Sequence, residues 1–279
     1  MREVVCLMCG TFLAVSAVNA TTSTDPTPAG PQMVWVAEGL PPAPIIVSTN
    51  DPTGEVLKSA HDLAGYVEKI SGQRPEVLQR APDPIPERAV WVGYQPVLKT
   101  LFPNLDFEFT QPEEILIAAN ARHLVIAGRD RAPFDVRTYS LVRVGEFGTA
   151  NAVSTFIHQY LGVRWLWPGE LGTDIPRRDR IAFEPFTYRF HPPIRSRRLH
   201  LEPRYSRTDQ GADVAVVNYF WENAHRLNRR SSHTLPRDHA YNDWSDRYRE
   251  AHPEYFALQA DGTRARGRDV KLCTSNPDV

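Results

Sequence analysis

Apolar positions recur along the first two thirds of the chain in two rhythms. Val56, Ala60, Leu63, Val67 and Ile70 follow at intervals of three and four, one stripe of an amphipathic helix. Asn50-Asp51-Pro52 precedes them, with Asp51 suited to the N-cap and Pro52 to the first helical position, and Gly72 stops the run. A second helix is predicted over Thr149–Leu161, its stripe Val153, Phe156, Ile157 and Tyr160 and its stop Gly162. Short apolar runs at Ile45–Val47, Ala89–Val92, Ile115–Ala118, Leu124–Ala127 and Val163–Leu166 read as strands. Asn120-Ala121-Arg122 joins the third and fourth of these as a hairpin. The order β-α-β-β-β-α-β predicts an α/β (α+β) domain over residues 32–188, a mixed sheet with two helices packed on it.

The pattern changes near Arg189. From there to Val279 the apolar runs are short, notably Leu199-His200-Leu201 and Val214–Val217, and six of the nine histidines occur. Helix starts are expected at Tyr219–Leu227 and Trp244–Ala251. The segment, residues 189–279, is mildly basic, with sixteen Arg and Lys against twelve Asp and Glu. His225, His233 and His239 lack the tight spacing of a zinc site, so no metal is expected. Asp243/Asp246 and Glu250/Glu254 lie among Arg247 and Arg249 at helical spacing, which describes a salt-bridged, solvated face.

Two features at the N-terminus set the compartment. Val4–Val18 is apolar, follows Arg2, and ends in Val18-Asn19-Ala20, the pattern of a cleaved signal peptide over residues 1–20. Thr21–Pro31 reads as a flexible linker. A secreted or periplasmic protein is therefore expected, with no membrane anchor after cleavage. Cys6 and Cys9 would leave with the signal, and Cys273 alone could make no internal disulfide. A formal net charge of −1 over 279 residues gives no basic excess for nucleic acid. The 24 prolines against 16 glycines favour many short elements joined by stiff loops. No phosphate loop, nucleophile elbow or Cys-x-x-Cys is present, and no cofactor is expected.

Three stretches carry a family resemblance. They are Ala60–Gly72; Gly148–Pro176, with Leu161-Gly162-Val163-Arg164-Trp165-Leu166-Trp167-Pro168-Gly169-Glu170 inside it; and His252-Pro253-Glu254-Tyr255-Phe256-Ala257-Leu258 followed by Leu272–Pro277. Together they resemble an uncharacterised family of secreted bacterial proteins. Its members carry an α-glucuronidase-like N-terminal domain, similar to the second domain of β-hexosaminidases, ahead of a glycosidase-type (β/α)₈ barrel. The resemblance implies that residues 32–188 are a non-catalytic module and that residues 189–279 begin a barrel similar to those of glycoside hydrolase families 67 and 20. Such barrels place two carboxyl groups about 5–10 Å apart on later strands, which the resemblance puts beyond Val279. The chain is then expected to hydrolyse little or nothing by itself. It implies a carbohydrate partner, with Arg197 in the place of an arginine that hydrogen-bonds sugar hydroxyls, and with His233 and Asn276 as further cleft residues. A non-catalytic carbohydrate-binding or scaffold module is the alternative. Trp165 and Trp167 suit either a sugar-stacking platform or a packed seam between the two segments.

Overall fold

The structure is a computed structural model. It describes residues 30–137, 141–194, 197, 220–227, 244–264 and 270–278, without the side chains of 133–144. Residues 1–30 and 31–279 are two units, and every element named below belongs to the second. The signal and most of the linker, the runs at Leu199 and Val214–Val217, and His233 lie outside the described residues.

In chain order the first elements are β1 (Met33–Val36), β2 (Ile45–Val47), α1 (Val56–Ser71), β3 (Val77–Leu78), β4 (Ala89–Val92), α2 (Leu98–Leu101), β5 (Ile115–Ala119) and β6 (His123–Gly128). There follow β7 (Asp130–Arg137), β8 (Leu141–Phe147), α3 (Gly148–Gln159), β9 (Arg164–Trp165), β10 (Thr173–Asp174), β11 (Ile181–Phe183), β12 (Phe186–Phe190) and α4 (Trp244–Tyr248). Six strands form one mixed sheet in the order β12-β5-β6-β4-β2-β3. β3, β2, β4 and β6 run parallel, while β5 is antiparallel to both β6 and β12.

The central strands are continuous apolar runs because both faces of the sheet are covered. Ile45, Val47, Val90, Val92, Ile117 and Ile126 join the core formed with α1 and α3. Ile46, Trp91, Leu116 and Val125 point the other way, into a core with Leu98, Phe102 and Phe107. The α1 stripe is buried throughout, and Gly72 ends the helix at φ 77° with its N–H on the Glu68 carbonyl at 2.7 Å. Asp51 caps α1 from further back than the sequence suggests. The helix begins only at Val56, and Asp51 Oδ2 accepts the N–H groups of Val56 and Leu57 across the 52–55 turn.

The α3 terminus is capped from another strand. Its first turn has no acidic residue, and Asp130 of β7 accepts the Thr149 N–H at 3.0 Å and the Thr149 hydroxyl at 2.5 Å. Burial pushes the Asp130 carboxyl up to about 6, the Thr149 bonds working against it and the charges of Asp51 and Glu146 adding to it. Its ordinary value of 3.8 holds in the unfolded chain. The proton therefore stabilises the fold fully below about pH 4, and that contribution is lost as pH rises through 6. The difference corresponds to about 3 kcal/mol. Asp130→Asn is expected to remove this dependence, so that its stability relative to wild type rises between pH 4 and 7 in denaturant titrations. Parallel pH curves for the two proteins would contradict the assignment.

Three features depart from the sequence pattern. β7 and β8 form a long antiparallel hairpin with a register shift between Arg131 and Phe134. β1 pairs with β11 in a separate two-stranded sheet. The strand expected over Val163–Leu166 is only Arg164–Trp165, paired with β10. Beyond β12 the described residues hold a helical turn at 220–224, α4, a 3₁₀ turn at Pro253–Tyr255 and isolated bridges such as Phe256 to Leu272. Of the stretch expected to begin a barrel, residues 198–219 and 228–243 lie outside the described residues.

Candidate functional site

Two cavities flank the helices. The larger, about 500 Å³, opens between α1, α3, the β9–β10 hairpin and the turn at 220–224. Its walls follow from how these pieces are tied together. Trp165 is buried, and its indole N–H donates to the Tyr66 hydroxyl of α1 at 2.8 Å. Its carbonyl holds the 220–224 turn, accepting the Trp221 indole N–H at 3.0 Å and facing His225 Nε2 at 2.8 Å. Burial raises the Tyr66 hydroxyl above its ordinary value, the Trp165 bond opposes that, and Asp62 adds to it.

Trp165 is thus the packed seam, while its neighbour is not. Trp167 is 72% exposed at the cleft, with Leu166 and Phe220 also exposed nearby in sequence or on the facing turn. The rim carries two acidic side chains, Asp62 and Glu170, and two basic ones, Lys69 and Arg177. Its formal charge is balanced.

Two polar side chains are buried behind the cleft's inner wall. Ser59 lies on the buried face of α1 at 3% exposure, and Asn223 on the 220–224 turn at 2%. Both line the cleft, and Ser59 Oγ, Asn223 Oδ1 and Asn223 Nδ2 find no hydrogen-bond partner among the described residues. A buried polar group left unmade costs about 1–3 kcal/mol, so these side chains are poor choices for stability alone.

The second cavity, about 440 Å³, contains Arg197. Its guanidinium donates to Glu113 Oε2 at 2.9 Å, to the Ile194 carbonyl at 2.7 Å and to the Arg226 carbonyl at 3.0 Å. Glu113 is buried at a positive φ of 53°, also accepts from Asn151 at 3.3 Å, and its own N–H donates to Glu146. Arg226 reaches Thr155 of α3 at 2.9 Å, and burial, with the nearby Arg197 charge, lowers its guanidinium below the ordinary range. Asn276 lies elsewhere, half-buried, donating to the Glu254 carbonyl at 3.4 Å and accepting the Asp278 N–H at 3.1 Å. Arg197 and Asn276 share neither cavity nor hydrogen bond among the described contacts, and His233 lies outside the described residues. Ser59 and Asn223 escaped sequence reasoning; the one signal was a serine on the buried stripe of α1.

No cluster of three or more His, Cys, Asp or Glu among the described residues could hold a metal ion, and no described helix is long and apolar enough to cross a membrane. The Asp130 carboxyl, raised to about 6, is not among the residues lining the cleft.

Residues 167–279 match the profile of a domain of unknown function (DUF4838). Comparison with curated proteins gives no match. Among solved structures, the chain is similar to a family GH115 4-O-methyl-α-glucuronidase, BtGH115A, with specificity for decorated arabinogalactans. The similarity has 14% identity and a TM-score of 0.47, and it covers 70% of this chain. The chain spans 25% of that enzyme's length.

Proposed function

We propose that this chain is the N-terminal portion of a secreted, glycoside-hydrolase-like protein of carbohydrate metabolism, and that it contributes sugar binding, not bond cleavage. The observation that carries the reading is the cleft beside β9. The stretch Gly148–Pro176, most specific to the family resemblance, supplies one wall of it, with Trp165 fixed inside and Trp167 held out. An exposed indole beside a cleft rimmed by Asp62, Lys69, Glu170 and Arg177 suits the apolar face and hydroxyl edge of a pyranose ring. Hydrolysis needs one carboxyl held protonated near neutral pH beside an ionised one. The raised carboxyl of Asp130 caps α3 and is not among the residues lining the cleft, so it is not offered as the acid of such a pair. The roles of Arg197, His233 and Asn276 as sugar contacts rest on the resemblance alone.

Intrinsic fluorescence tests this reading, since three of the six tryptophans border the cleft. Neutral oligosaccharides are expected to change the emission of the wild type. Trp167→Ala is expected to abolish the change and weaken affinity by about tenfold or more, roughly the value of a stacked aromatic pair. Its unfolding midpoint should stay near wild type because the side chain is exposed. Emission that no sugar alters would sink the proposal and leave a plain interaction module.

A further inference from the structure

We propose that the smaller cavity, beside β12, is a second binding site, for a carboxylate with a flat apolar body, and that Arg226 holds its charge. The site is distinct from the sugar cleft and does not depend on that reading. Arg226 is half-buried, and its Nη1 donates to the Thr155 hydroxyl at 2.9 Å. Nε and Nη2, which form the two-pronged edge of the guanidinium, have no partner among the described residues and keep accessible surface. Burial lowers this guanidinium, Tyr188 opposes that and the Arg197 charge adds to it, and no carboxylate contributes. Glu113, the carboxylate in the cavity wall, already faces Arg197 at 2.9 Å. Arg197 and Arg226 against Glu113 leave the described walls with one positive charge in excess. A desolvated cation without a counter-charge is costly, and an anionic ligand removes that cost.

The backbone holds the group ready. Among the described residues, Glu113 at φ 53° and Arg226 at φ 57° are the two non-glycine residues in the left-handed region, and both line this cavity. Such conformations are unfavourable and collect at binding sites. Two backbone groups fix Arg226 in place, its N–H on the Asn223 carbonyl at 3.0 Å and its carbonyl under Arg197 Nε at 3.0 Å.

The ligand class follows from the walls. The free guanidinium edge offers two parallel N–H groups, which a carboxylate matches with both oxygens. Tyr188 and Phe190 alternate on β12, so their rings share a face, 6.4 Å apart and 18° from parallel. Pro192, Pro193 and Ile194 also line the cavity, and Phe190 and Ile194 are exposed. A flat aryl body suits these surfaces. A hydroxylated ring would set its hydroxyls against apolar groups.

Calorimetric titration of the full chain with benzoate and trans-cinnamate tests this. Benzamide and cinnamamide are the uncharged counterparts, acetate is the charge without a ring, and glucuronic acid is the charge on a hydroxylated ring. At least one aryl acid is expected to bind about tenfold or more tightly than its amide, acetate or glucuronic acid, the effect of a charged hydrogen-bonded pair. Arg226→Met is expected to lose about tenfold or more in affinity for that acid. Phe190→Ala, which removes an exposed side chain, should fold normally and bind the acid about threefold or more weakly. It and the acid–amide comparison in wild type decide the matter should Arg226→Met fail to fold. Trp167→Ala should bind the acid as wild type does, so this proposal and the sugar-binding reading fail separately. The proposal is overturned by an amide bound as tightly as its acid, by acetate or glucuronic acid bound as tightly as the aryl acids, by unchanged affinity in Arg226→Met, or by no acid binding at all.

Discussion

Gly148→Ala is expected to lose at least about 3 kcal/mol of stability, the upper end of overpacking costs. A Cβ at this position would lie 2.4 Å from the Arg129 nitrogen, 2.6 Å from its oxygen and 2.8 Å from the Glu114 carbonyl oxygen. All three are backbone atoms, so no rotamer change relieves the contact. Gly128 faces it, and a Cβ there would lie 2.3 Å from the Gly148 carbonyl carbon. Here β6, β7 and the first turn of α3 cross with nothing between them. Gly148 N–H donates to Arg129 O at 2.9 Å, and Arg129 N–H to Glu114 O at 2.8 Å. Losing that crossing frees the cap that Asp130 makes on α3, and α3 is a wall of the cleft. Gly72→Ala is the control. Its φ of 77° disfavours a side chain, but a Cβ there meets nothing within 4 Å. A cost of only about 1–2 kcal/mol is expected for it. Urea midpoints compare the two. A Gly148→Ala protein with the wild-type midpoint would show that the crossing is looser than described.

Arg197→Met is expected to cost about 3–5 kcal/mol, the usual result of removing one partner of a buried ion pair. The reason lies in Glu113, whose side chain is 3% exposed and which faces Arg197 across 2.9 Å. Without the guanidinium a charged carboxylate stays buried with weaker support. Arg197→Lys should recover little, because the guanidinium spans a carboxylate and two carbonyl groups in different directions and an ammonium does not. Arg197→Met combined with Glu113→Gln should be more stable than Arg197→Met alone, as the uncompensated charge is then gone. Equilibrium unfolding of the three proteins checks this. A stable Arg197→Met protein with impaired sugar binding would give Arg197 the sugar-contact role that the family resemblance implies.

The helical stripe of α1 could be read directly because Val56, Ala60, Leu63, Val67 and Ile70 all face one core. The central strands were legible for the same reason, being apolar on both faces. The β7–β8 hairpin was not read, although Ala132, Phe134 and Val136 alternate with Arg131, Pro133, Asp135 and Arg137; Pro133 inside the run argues against a strand, and the pairing with residues 141–147 is visible only in the backbone. Asp51 was seen as a cap, but its reach across the turn depends on loop geometry rather than residue type. The cleft was partly legible. Trp165 and Trp167 stood out as a pair, and only the fold separates them, one donating to Tyr66 and the other left in solvent. Asn223 gave no local signal. Its isolation arises where α1, α3 and the 220–224 turn meet, and those pieces are remote in sequence.

The account turns on whether the cleft holds a sugar. Isothermal titration of the wild-type chain with the neutral oligosaccharides, and in parallel with glucuronic and galacturonic acids, tests this most directly. The account predicts saturable heat with at least one neutral oligomer, lost in Trp167→Ala, and weaker or no heat with the acids. Flat titrations with every sugar would contradict it.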